Sequence, residues 1–255
     1  MPVTTPPRTP GKYGRKPRDT TRWAPTLEHY LTAELPPAPV IVDRASKVPD
    51  WPMYLNDSLG DCTCATVGHE IEAWTAYATA EVTLPQDDIL ALYEAVGGYV
   101  PGDPSTDNGC EIQDILAYWQ RTGVGGHKIA AYAALGDCTN LMLMKQCLQI
   151  FGTVYLGINC PESAESQFSA GEVWTVVPGS PIAGGHAIPL QRWDNAALGD
   201  LEVVTWGALQ RMTMGFAQTY VEEAWVPVST DWISANDVTI TGLNLAQLEA
   251  DLAAV

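Results

Sequence analysis

The fold is best predicted from the ten residues 56–65, NDSLGDCTCA. Gly60 permits a tight turn, and Asp57, Ser58 or Asp61 can supply the N-cap of a helix. The apolar residues that follow at helical spacing are Val67, Ile71, Trp74 and Ala78. The sequence therefore predicts a helix over residues 61–79, with Cys62 in its first turn.

A cysteine in this position has the properties of a nucleophile. The first turn of a helix carries unpaired backbone N–H groups and the positive end of the helix dipole, and both favour the thiolate of Cys62 over its thiol. Asn56 lies six residues earlier, across a turn. Its side-chain amide and the backbone N–H of Cys62 can together donate hydrogen bonds to an oxyanion. Cys62 and Asn56 are therefore candidate catalytic residues.

A nucleophilic cysteine also needs a base, and the chain contains four histidines: His29, His69, His127 and His186. His69 lies two helical turns from Cys62, roughly 10 Å along the predicted helix, which is too far for direct proton transfer. His186 begins an apolar strand after Gly184-Gly185, and the two glycines leave room beside its ring. His186 is the candidate base.

The remaining pattern predicts helices first and strands afterwards, which is typical of an α+β protein with two lobes. The further predicted helices cover residues 87–97, 111–122, 140–151, 214–223 and 244–254. The predicted strands cover residues 154–160, 173–177, 186–193, 201–207 and 224–228.

Residues 1–50 differ from the rest of the chain. They are rich in proline and have little apolar periodicity, so alone they would be extended or disordered. Residues 1–22 carry six basic groups and one acidic group, whereas the remainder carries seven basic and 29 acidic groups. We therefore predict an extended N-terminal arm that binds an acidic surface. Whether it binds its own domain or neighbouring subunits is left open by the sequence.

Composition excludes several classes of protein. Apolar residues make up 46% of the 255 residues, enough for a sizeable core, and no apolar run approaches the roughly 18 residues of a membrane span. The strongly acidic body argues against nucleic-acid binding. The start of the chain has no apolar region typical of a secretory signal, so the six cysteines are expected to be reduced thiols. Their spacing does not suggest a zinc site, and we expect no cofactor.

The order of motifs resembles that of papain-like cysteine peptidases. In those enzymes a glutamine precedes the nucleophilic cysteine by six residues. A Gly-rich stretch before a helix, a helix and strand that cross between the lobes, a His-Ala strand and an Asn-Ser-Trp-Gly motif follow in that order. The corresponding positions here are, in the same order, Asn56 and Cys62, Asp107-Asn108-Gly109, Lys145 to Asn159, Gly185-His186-Ala187-Ile188 and Val204-Thr205-Trp206-Gly207. The resemblance implies a papain-like domain over residues 51–228, with a helical lobe at about 51–152 and an antiparallel β lobe at about 153–228. Residues 229–255 would form a tail with a short helix. The resemblance also implies a third place for the N-terminal arm, since residues upstream of the nucleophile occupy the cleft as a propeptide in many papain-like enzymes.

The sequence departs from the papain pattern at two positions. Asn56 replaces the glutamine of the oxyanion hole and is one methylene shorter. The asparagine that orients the histidine is missing, and Val204 or Thr205 occupies its place. The Thr205 hydroxyl can accept the Nδ1–H of His186, and the other candidate partners are Asp194 and Asp200. We therefore name Thr205 as the candidate third catalytic residue.

Taken together, the residues of these motifs also resemble those of uncharacterised papain-fold proteins of bacteriophages and their hosts. Two functions follow from the resemblances. The first is a papain-like cysteine peptidase or amidase that acts on a peptide or protein substrate. The second is a virion structural or decoration protein that keeps the fold as a scaffold and binds neighbouring subunits of a phage particle through its arm. A host-directed effector is a third and weaker hypothesis. The predicted location is the host cytoplasm or the virion.

Each candidate also has a plain structural interpretation. Cys62 and Cys64 can be small buried apolar residues, and Asn56 can be a turn residue. Trp206 is interpreted as a core residue. The acidic pairs Asp87-Asp88 and Glu222-Glu223 are interpreted as solvated faces rather than as catalytic carboxylates.

Overall fold

One antiparallel sheet forms the centre of the protein in the computed structural model, which describes residues 8–78, 80–194, 201–232 and 243–254. Within those residues, six strands follow the order β2-β7-β3-β4-β5-β6, and β1 pairs with β4. The strands are β1 (Ile41–Asp43), β2 (Ile129–Ala134), β3 (Val154–Pro161), β4 (Ile182–Asp194), β5 (Leu201–Thr205), β6 (Ala208–Met212) and β7 (Val221–Ser229).

The α-helices lie mostly between the strands in sequence. They are α1 (Cys62–Ala78), α2 (Gln86–Gly97), α3 (Ile112–Arg121), α4 (Leu141–Phe151), α5 (Glu162–Ala170), α6 (Met214–Tyr220) and α7 (Leu245–Ala253). Short 3₁₀ helices occur at Leu27–Tyr30 and Pro104–Thr106. In the part of the chain that the structure describes, no helix is both long and apolar enough to cross a membrane.

Helix α1 is central to the positioning of the site. Its residues from Cys62 to Thr75 are buried around the whole helix, because α2 and α3 pack on one side and β4 on the other. The helix therefore carries its first residue into the interior, against the strand that contains His186. A helix that is buried on all faces keeps little freedom to move, so the position of Cys62 is well defined.

Buried side chains form two large clusters. One surrounds α1, α2 and α3, and it includes Trp74 and Trp119. The other surrounds the sheet, and it includes Leu156, Ile188 and Phe216. The α+β class predicted from the sequence is confirmed, and α1 meets β4 where the two clusters adjoin.

A tight hairpin joins β5 to β6. Thr205 pairs with Ala208, so only Trp206 and Gly207 form the turn, and both have positive φ angles of 45° and 69°. This is the backbone twist that two-residue hairpin turns require. The hairpin holds Thr205 at the end of β5 and presents the Trp206 ring to the same region.

Most of the predicted elements are confirmed to within a few residues, but the strand predicted at residues 173–177 is wrong. Val176 and Val177 are exposed, and only Trp174 forms an isolated bridge, to Met212. The segment therefore pairs with the edge strand β6 at this one residue and does not continue as a strand. The elements β1, β2, β6 and α5 were not predicted from the sequence.

The N-terminal segment, residues 8–22, lies against the body of the protein. The Arg8 guanidinium donates to the carbonyl of Leu209, and further along Arg22 forms an ion pair with Asp114 of α3. After the segment the chain reaches the sheet, where β1 pairs with the end of β4. The partition of the chain into residues 1–50, 51–228 and 229–255 stays a prediction.

Candidate active site

Cys62 and His186 lie where α1 packs on β4. Cys62 is the first residue of α1, and His186 lies in the β4 stretch that pairs with β3. Both side chains are almost fully buried and line the same small cavity. Asn56 and Thr205 line this cavity as well. The structure thus brings together the four residues that the sequence analysis named, and their catalytic roles stay predictions.

The His186 ring is held by a hydrogen bond and by stacking. Its Nε2 lies 2.7 Å from the Thr205 hydroxyl. The ring stacks on Trp206, with centroids 4.9 Å apart and planes 27° apart. The contact with Thr205 was predicted at Nδ1, but it is made at Nε2. Within the described residues, Nδ1 is buried and has no hydrogen-bond partner.

The other candidate partners of His186 do not reach it. Asp194 lies eight residues further along β4, about 26 Å at strand spacing, and forms an ion pair with Arg192. Asp200 lies outside the described residues. Val204 packs with Trp51 and Ala73, and its side chain carries no polar atom that could accept from the ring. Thr205 is therefore the neighbour on β5 that contacts the ring.

His69 has a structural environment. Its Nε2 lies 2.8 Å from the carbonyl of Pro52, and its ring packs against Trp51 and Tyr54. Burial lowers the pKa of His69 to about 4. A neutral histidine held by a backbone carbonyl is well suited to the core, and it agrees with the choice of His186 as the candidate base.

Asn56 directs its amide at a backbone carbonyl from the N-terminal segment. The Asn56 Nδ2 donates to the carbonyl of Lys12 and to that of Leu59, both at 3.1 Å. The Lys12 amide donates in turn to the Asn56 carbonyl. The group predicted to stabilise an oxyanion thus binds a peptide oxygen of the chain itself.

Residues 11–16, which we call the cleft segment, pass between the two halves of the site. On one side the amides of Gly14 and Arg15 donate to the carbonyl of Gly185, the residue before His186. On the other side Cys110, just before α3, accepts from the Lys16 amide and donates to the Gly14 carbonyl. A Cβ atom on Gly14 would overlap the carbonyl of Gly60, so only glycine fits here. The cleft segment therefore covers Cys62 and His186.

Tyr13 fills the space next to His186. The edge of its ring faces the His186 ring, with centroids 5.6 Å apart, and it also contacts Trp206. Its hydroxyl donates to Glu165 of α5 at 2.6 Å. The Tyr13 ring therefore excludes water from the candidate base.

Arg15 is the most deeply buried charged residue of the cleft segment. Its Nη1 lies 2.8 Å from a carboxylate oxygen of Glu223, and its Nη2 lies 2.8 Å from one of Glu222 and 2.9 Å from the Asn159 side-chain oxygen. The side chains of Arg15 and Glu223 are only 1% and 3% exposed. The interpretation of Glu222-Glu223 as a solvated face is therefore wrong for Glu223.

Burial determines the protonation of the pair. Burial raises the pKa of Cys62 to about 12, although the backbone N–H groups of Ala187 and Gly14 favour the thiolate. Burial, together with the positive charge of Arg15, lowers the pKa of His186 to about 3. At neutral pH the site therefore holds a thiol and a neutral imidazole.

Sequence reasoning missed the residues that the N-terminal segment contributes. Tyr13 and Arg15 lie in a proline-rich stretch with no periodicity, and no local pattern shows which groups they meet. The excess of positive charge in residues 1–22 was the available signal, and it pointed to an acidic surface without identifying Glu223. In the described ranges, no three His, Cys, Asp or Glu side chains are grouped so that they could bind a metal ion.

Comparison with solved structures identifies the fold. Xylellain, a cysteine protease from Xylella fastidiosa, superposes with a TM-score of 0.62 at 15% identity and covers 88% of this chain and 98% of its own. A procathepsin B from Trypanosoma congolense superposes with a TM-score of 0.57 at 13% identity, and the superposition covers 87% of each chain. A digestive procathepsin L from the larval midgut of Tenebrio molitor superposes with a TM-score of 0.57 at 14% identity, and the superposition covers 87% of this chain and 76% of the procathepsin.

These similarities show that the chain has the papain-like two-lobed fold. No protein-family model and no curated protein sequence matches it. At such low identities the superposition shows the fold alone, and the chemistry has to be inferred from the residues of the site. The comparisons give no support to a phage origin, which stays a prediction, as does the location in host cytoplasm or virion.

Proposed function

We propose that this chain, with its papain-like fold, is a cysteine peptidase that its own N-terminal segment keeps latent. The observation that carries the proposal is the convergence of Cys62, His186, Thr205 and Asn56 on one cavity that the cleft segment covers. A nucleophile, a base, a group that orients the base and an amide donor are the parts that acyl transfer requires. The similar structures that carry the name of cysteine proteases are consistent with this role.

The first half of the reaction forms an acyl-enzyme. His186 takes the proton from the Cys62 thiol, and the thiolate attacks the carbonyl carbon of a peptide bond. In the tautomer that is protonated on Nε2, Nε2–H donates to the Thr205 hydroxyl and Nδ1 is free to accept the proton. His186 then gives this proton to the leaving amine as the C–N bond breaks.

The oxyanion and the second half of the reaction use the same groups. In the latent state Asn56 Nδ2 donates to the Lys12 carbonyl, so a substrate carbonyl at this point would receive the same hydrogen bond. Water then attacks the thioester while His186 accepts its proton. The carboxylic acid leaves, and the proton returns to the Cys62 sulfur.

Latency follows from burial. A thiol with a pKa of about 12 and an imidazole with a pKa of about 3 do not exchange a proton readily at neutral pH. Departure of the cleft segment would admit water and remove the charge of Arg15. Contact with water lowers the pKa of Cys62 and raises that of His186, and loss of the Arg15 charge raises the pKa of His186 further. These changes favour the reactive pair.

The N-terminal segment gives no support to the virion hypothesis. That hypothesis needs an arm that reaches a neighbouring subunit, whereas residues 8–22 contact the chain's own lobes. A segment so engaged would first have to leave its site before it could bind another subunit.

Hydrolysis of a mixture of quenched fluorescent peptides tests the proposed function. The full chain with Tyr13→Ala and Arg15→Ala, which weaken the cleft segment, is expected to hydrolyse peptides at least about 100-fold faster than the unchanged chain. Adding Cys62→Ala should abolish this activity. Hydrolysis that survives Cys62→Ala, or an inactive double variant in which protease digestion shows that the segment is released, would overturn the proposal.

A further inference from the structure

A second cavity, of about 550 Å³, lies beside β2, which is the last strand at one edge of the sheet. It is separate from the candidate active site, because the two cavities have no lining residue in common. Its walls come from α3, β2, α7 and the end of the N-terminal segment. A cavity of this volume is large enough to hold a small organic ligand.

One side of the cavity is a face of α3. Gln113, Ala117 and Arg121 line it at intervals of four residues, so they lie on the same side of the helix over roughly 12 Å. Ala117 lies in the middle and has the smallest side chain of the three. The open volume therefore lies between an amide at one end of the cavity and a guanidinium at the other.

The guanidinium of Arg121 is available to an anion. Arg121 is exposed and forms no ion pair or hydrogen bond through its side chain within the residues that the structure describes. Arg22, at the other end of the cavity, is already neutralised by Asp114 at 2.7 Å. Residues 23–255 contain 29 acidic and seven basic residues, so an arginine without an acidic partner is unexpected here. Arg121 can bind a ligand carboxylate through two parallel hydrogen bonds.

The other end of the cavity offers hydrogen bonds. The Tyr132 side chain belongs to the same buried cluster as α3, and its hydroxyl has no hydrogen-bond partner among the described residues. Burial raises the pKa of Tyr132, the charge of Arg22 lowers it and that of Asp114 raises it, so the hydroxyl lies at the Arg22 end. The Gln113 Oε1 also lacks a donor. A ligand with an amide or a hydroxyl group would supply the missing partners.

The walls between the two ends are apolar. The Trp23 side chain lines the cavity although the residue is 47% exposed, and Leu252 of α7 lines it from another side. An exposed tryptophan ring beside a cavity gains contact area when a ligand covers it. A ligand that fits all the walls has a carboxylate, an apolar body and an amide or hydroxyl group.

We propose that this cavity binds apolar carboxylates that carry an amide or hydroxyl group, and that the bound ligand holds the N-terminal segment in its docked position. The proposal concerns a site outside the candidate active site and does not depend on peptidase activity. The required groups occur together at the C-terminal end of an apolar peptide and in hydroxylated aromatic acids.

The effect on the segment follows from the wall that it provides. Arg22 is the last residue of the N-terminal segment, and Trp23 follows it directly. The Trp23 carbonyl accepts a hydrogen bond from Gln113 Nε2 at 2.9 Å while the segment is docked. Release of the segment removes this wall, so the ligand binds the docked state more tightly than the released state. By linkage, the ligand shifts the equilibrium towards docking.

Calorimetric titration of the full chain tests the binding. N-acetyl-leucyl-leucine is compared with its C-terminal amide, which has the same shape without the charge, and 3-(4-hydroxyphenyl)propionate is compared with its amide in the same way. We expect saturable binding of an acid and at least about 10-fold weaker binding of its amide, because charged hydrogen bonds are lost. The acid that binds more tightly identifies the source of the ligand. Equal binding of acid and amide, or no saturation by either acid below about 10 mM, would overturn the proposal.

Variants of the full chain locate the bound acid. Arg121→Gln should weaken binding by at least about 10-fold and Tyr132→Phe by about 5-fold, whereas Ala117→Leu should fill the cavity and abolish binding. Arg211→Gln is the matched control, because Arg211 lies on β6 at the opposite edge of the sheet. Circular dichroism establishes that each variant is folded. Equal effects of Arg121→Gln and Arg211→Gln, or unchanged binding in folded Ala117→Leu, would refute the site.

Limited digestion with trypsin tests the effect on the segment. In the Arg15→Ala chain, where the segment is loosened, the acid at ten times its dissociation constant should slow cleavage within residues 8–22 by about 10-fold. The amide should have little effect, and the Ala117→Leu, Arg15→Ala chain should not respond to the acid. Binding of the acid without slower cleavage would show that the site does not hold the segment.

Discussion

The guanidinium of Arg15 lies 2.8 Å from the carboxylate of Glu223, which is 208 residues further along the chain, and solvent reaches neither side chain. An ion pair of this kind stabilises a structure mainly because the loss of one partner leaves a buried charge without compensation. The pair therefore fixes the N-terminal segment in the cleft, over Cys62 and His186.

Arg15→Ala is expected to release the cleft segment. Breaking a buried ion pair destabilises the docked state by about 3 kcal/mol, which corresponds to a change of about 100-fold in the docking equilibrium. Limited proteolysis, followed by mass spectrometry of the fragments, should show faster cleavage within residues 8–22. Arg22→Ala provides the matched control, because Arg22 and Asp114 are both about 40% exposed and a surface pair contributes about 1 kcal/mol or less. Similar cleavage rates in the two variants would contradict this role of Arg15.

Gly14→Ala should release the segment without any change of charge. The added Cβ would overlap the Gly60 carbonyl, which belongs to the backbone and cannot rotate away. We expect faster proteolysis of residues 8–22, as with Arg15→Ala, and an unchanged dependence on salt concentration. A docked segment in the Gly14→Ala chain would show that the backbone path through the cleft is wrong.

Acid is expected to loosen the segment. Burial and Arg15 lower the pKa of His186 from 6.5 to about 3, so the docked state binds fewer protons than the released state between these values. The stability of docking is therefore complete above pH 6.5 and falls as the pH decreases towards 3. Hydrogen exchange of the residue 11–16 amides, measured at several pH values, should rise accordingly after correction for intrinsic exchange. In His186→Gln, the increase in exchange near pH 6 should be smaller. An unchanged pH profile in this variant would show that His186 is not the group whose protonation loosens the segment.

Thr205→Val should impair catalysis with little effect on folding. The substitution removes the hydroxyl that lies 2.7 Å from His186 Nε2 and keeps the shape of the side chain. In the Arg15→Ala background we expect kcat to fall by about 10-fold with KM nearly unchanged, since one hydrogen bond to the base is lost. Thr205→Ser should restore the rate and the pH profile. Equal activity of Thr205→Val and Thr205→Ser would remove Thr205 from the site.

The local parts of the fold could be predicted because their causes are local. The spacing of Val67, Ile71 and Trp74 predicts α1, and the helix begins at Cys62, one residue after the predicted start. The order of helices and strands gave the α+β class. The segment 173–177 looked like a strand because it is rich in β-branched residues. Only Trp174 pairs with the edge strand β6, and β-propensity does not fix how far such a pairing extends.

The contacts that hold the cleft segment over the site could not be predicted, because the residues that make them are distant in sequence. Glu223 has the pattern of a solvated acid until Arg15 is placed beside it, and charge pairing over 208 residues leaves no periodic trace. The atom by which His186 meets Thr205 depends on the rotation of the ring, which spacing does not encode. The turn at Trp206-Gly207, in contrast, could have been predicted from the sequence. Two strand-like stretches separated by two residues, the second a glycine, indicate a hairpin.

Alkylation of Cys62 tests whether a latent Cys–His pair lies beneath the cleft segment. Iodoacetamide labelling of the full chain is followed by mass spectrometry from pH 5 to 9, alongside Arg15→Ala and Arg15→Ala with His186→Ala. We predict a Cys62 that is inert in the unchanged chain, reactive in Arg15→Ala with an apparent pKa well below about 8.5, and less reactive again when His186 is also replaced. A Cys62 that stays inert in the Arg15→Ala chain after release of the segment, or that reacts equally without His186, would contradict it.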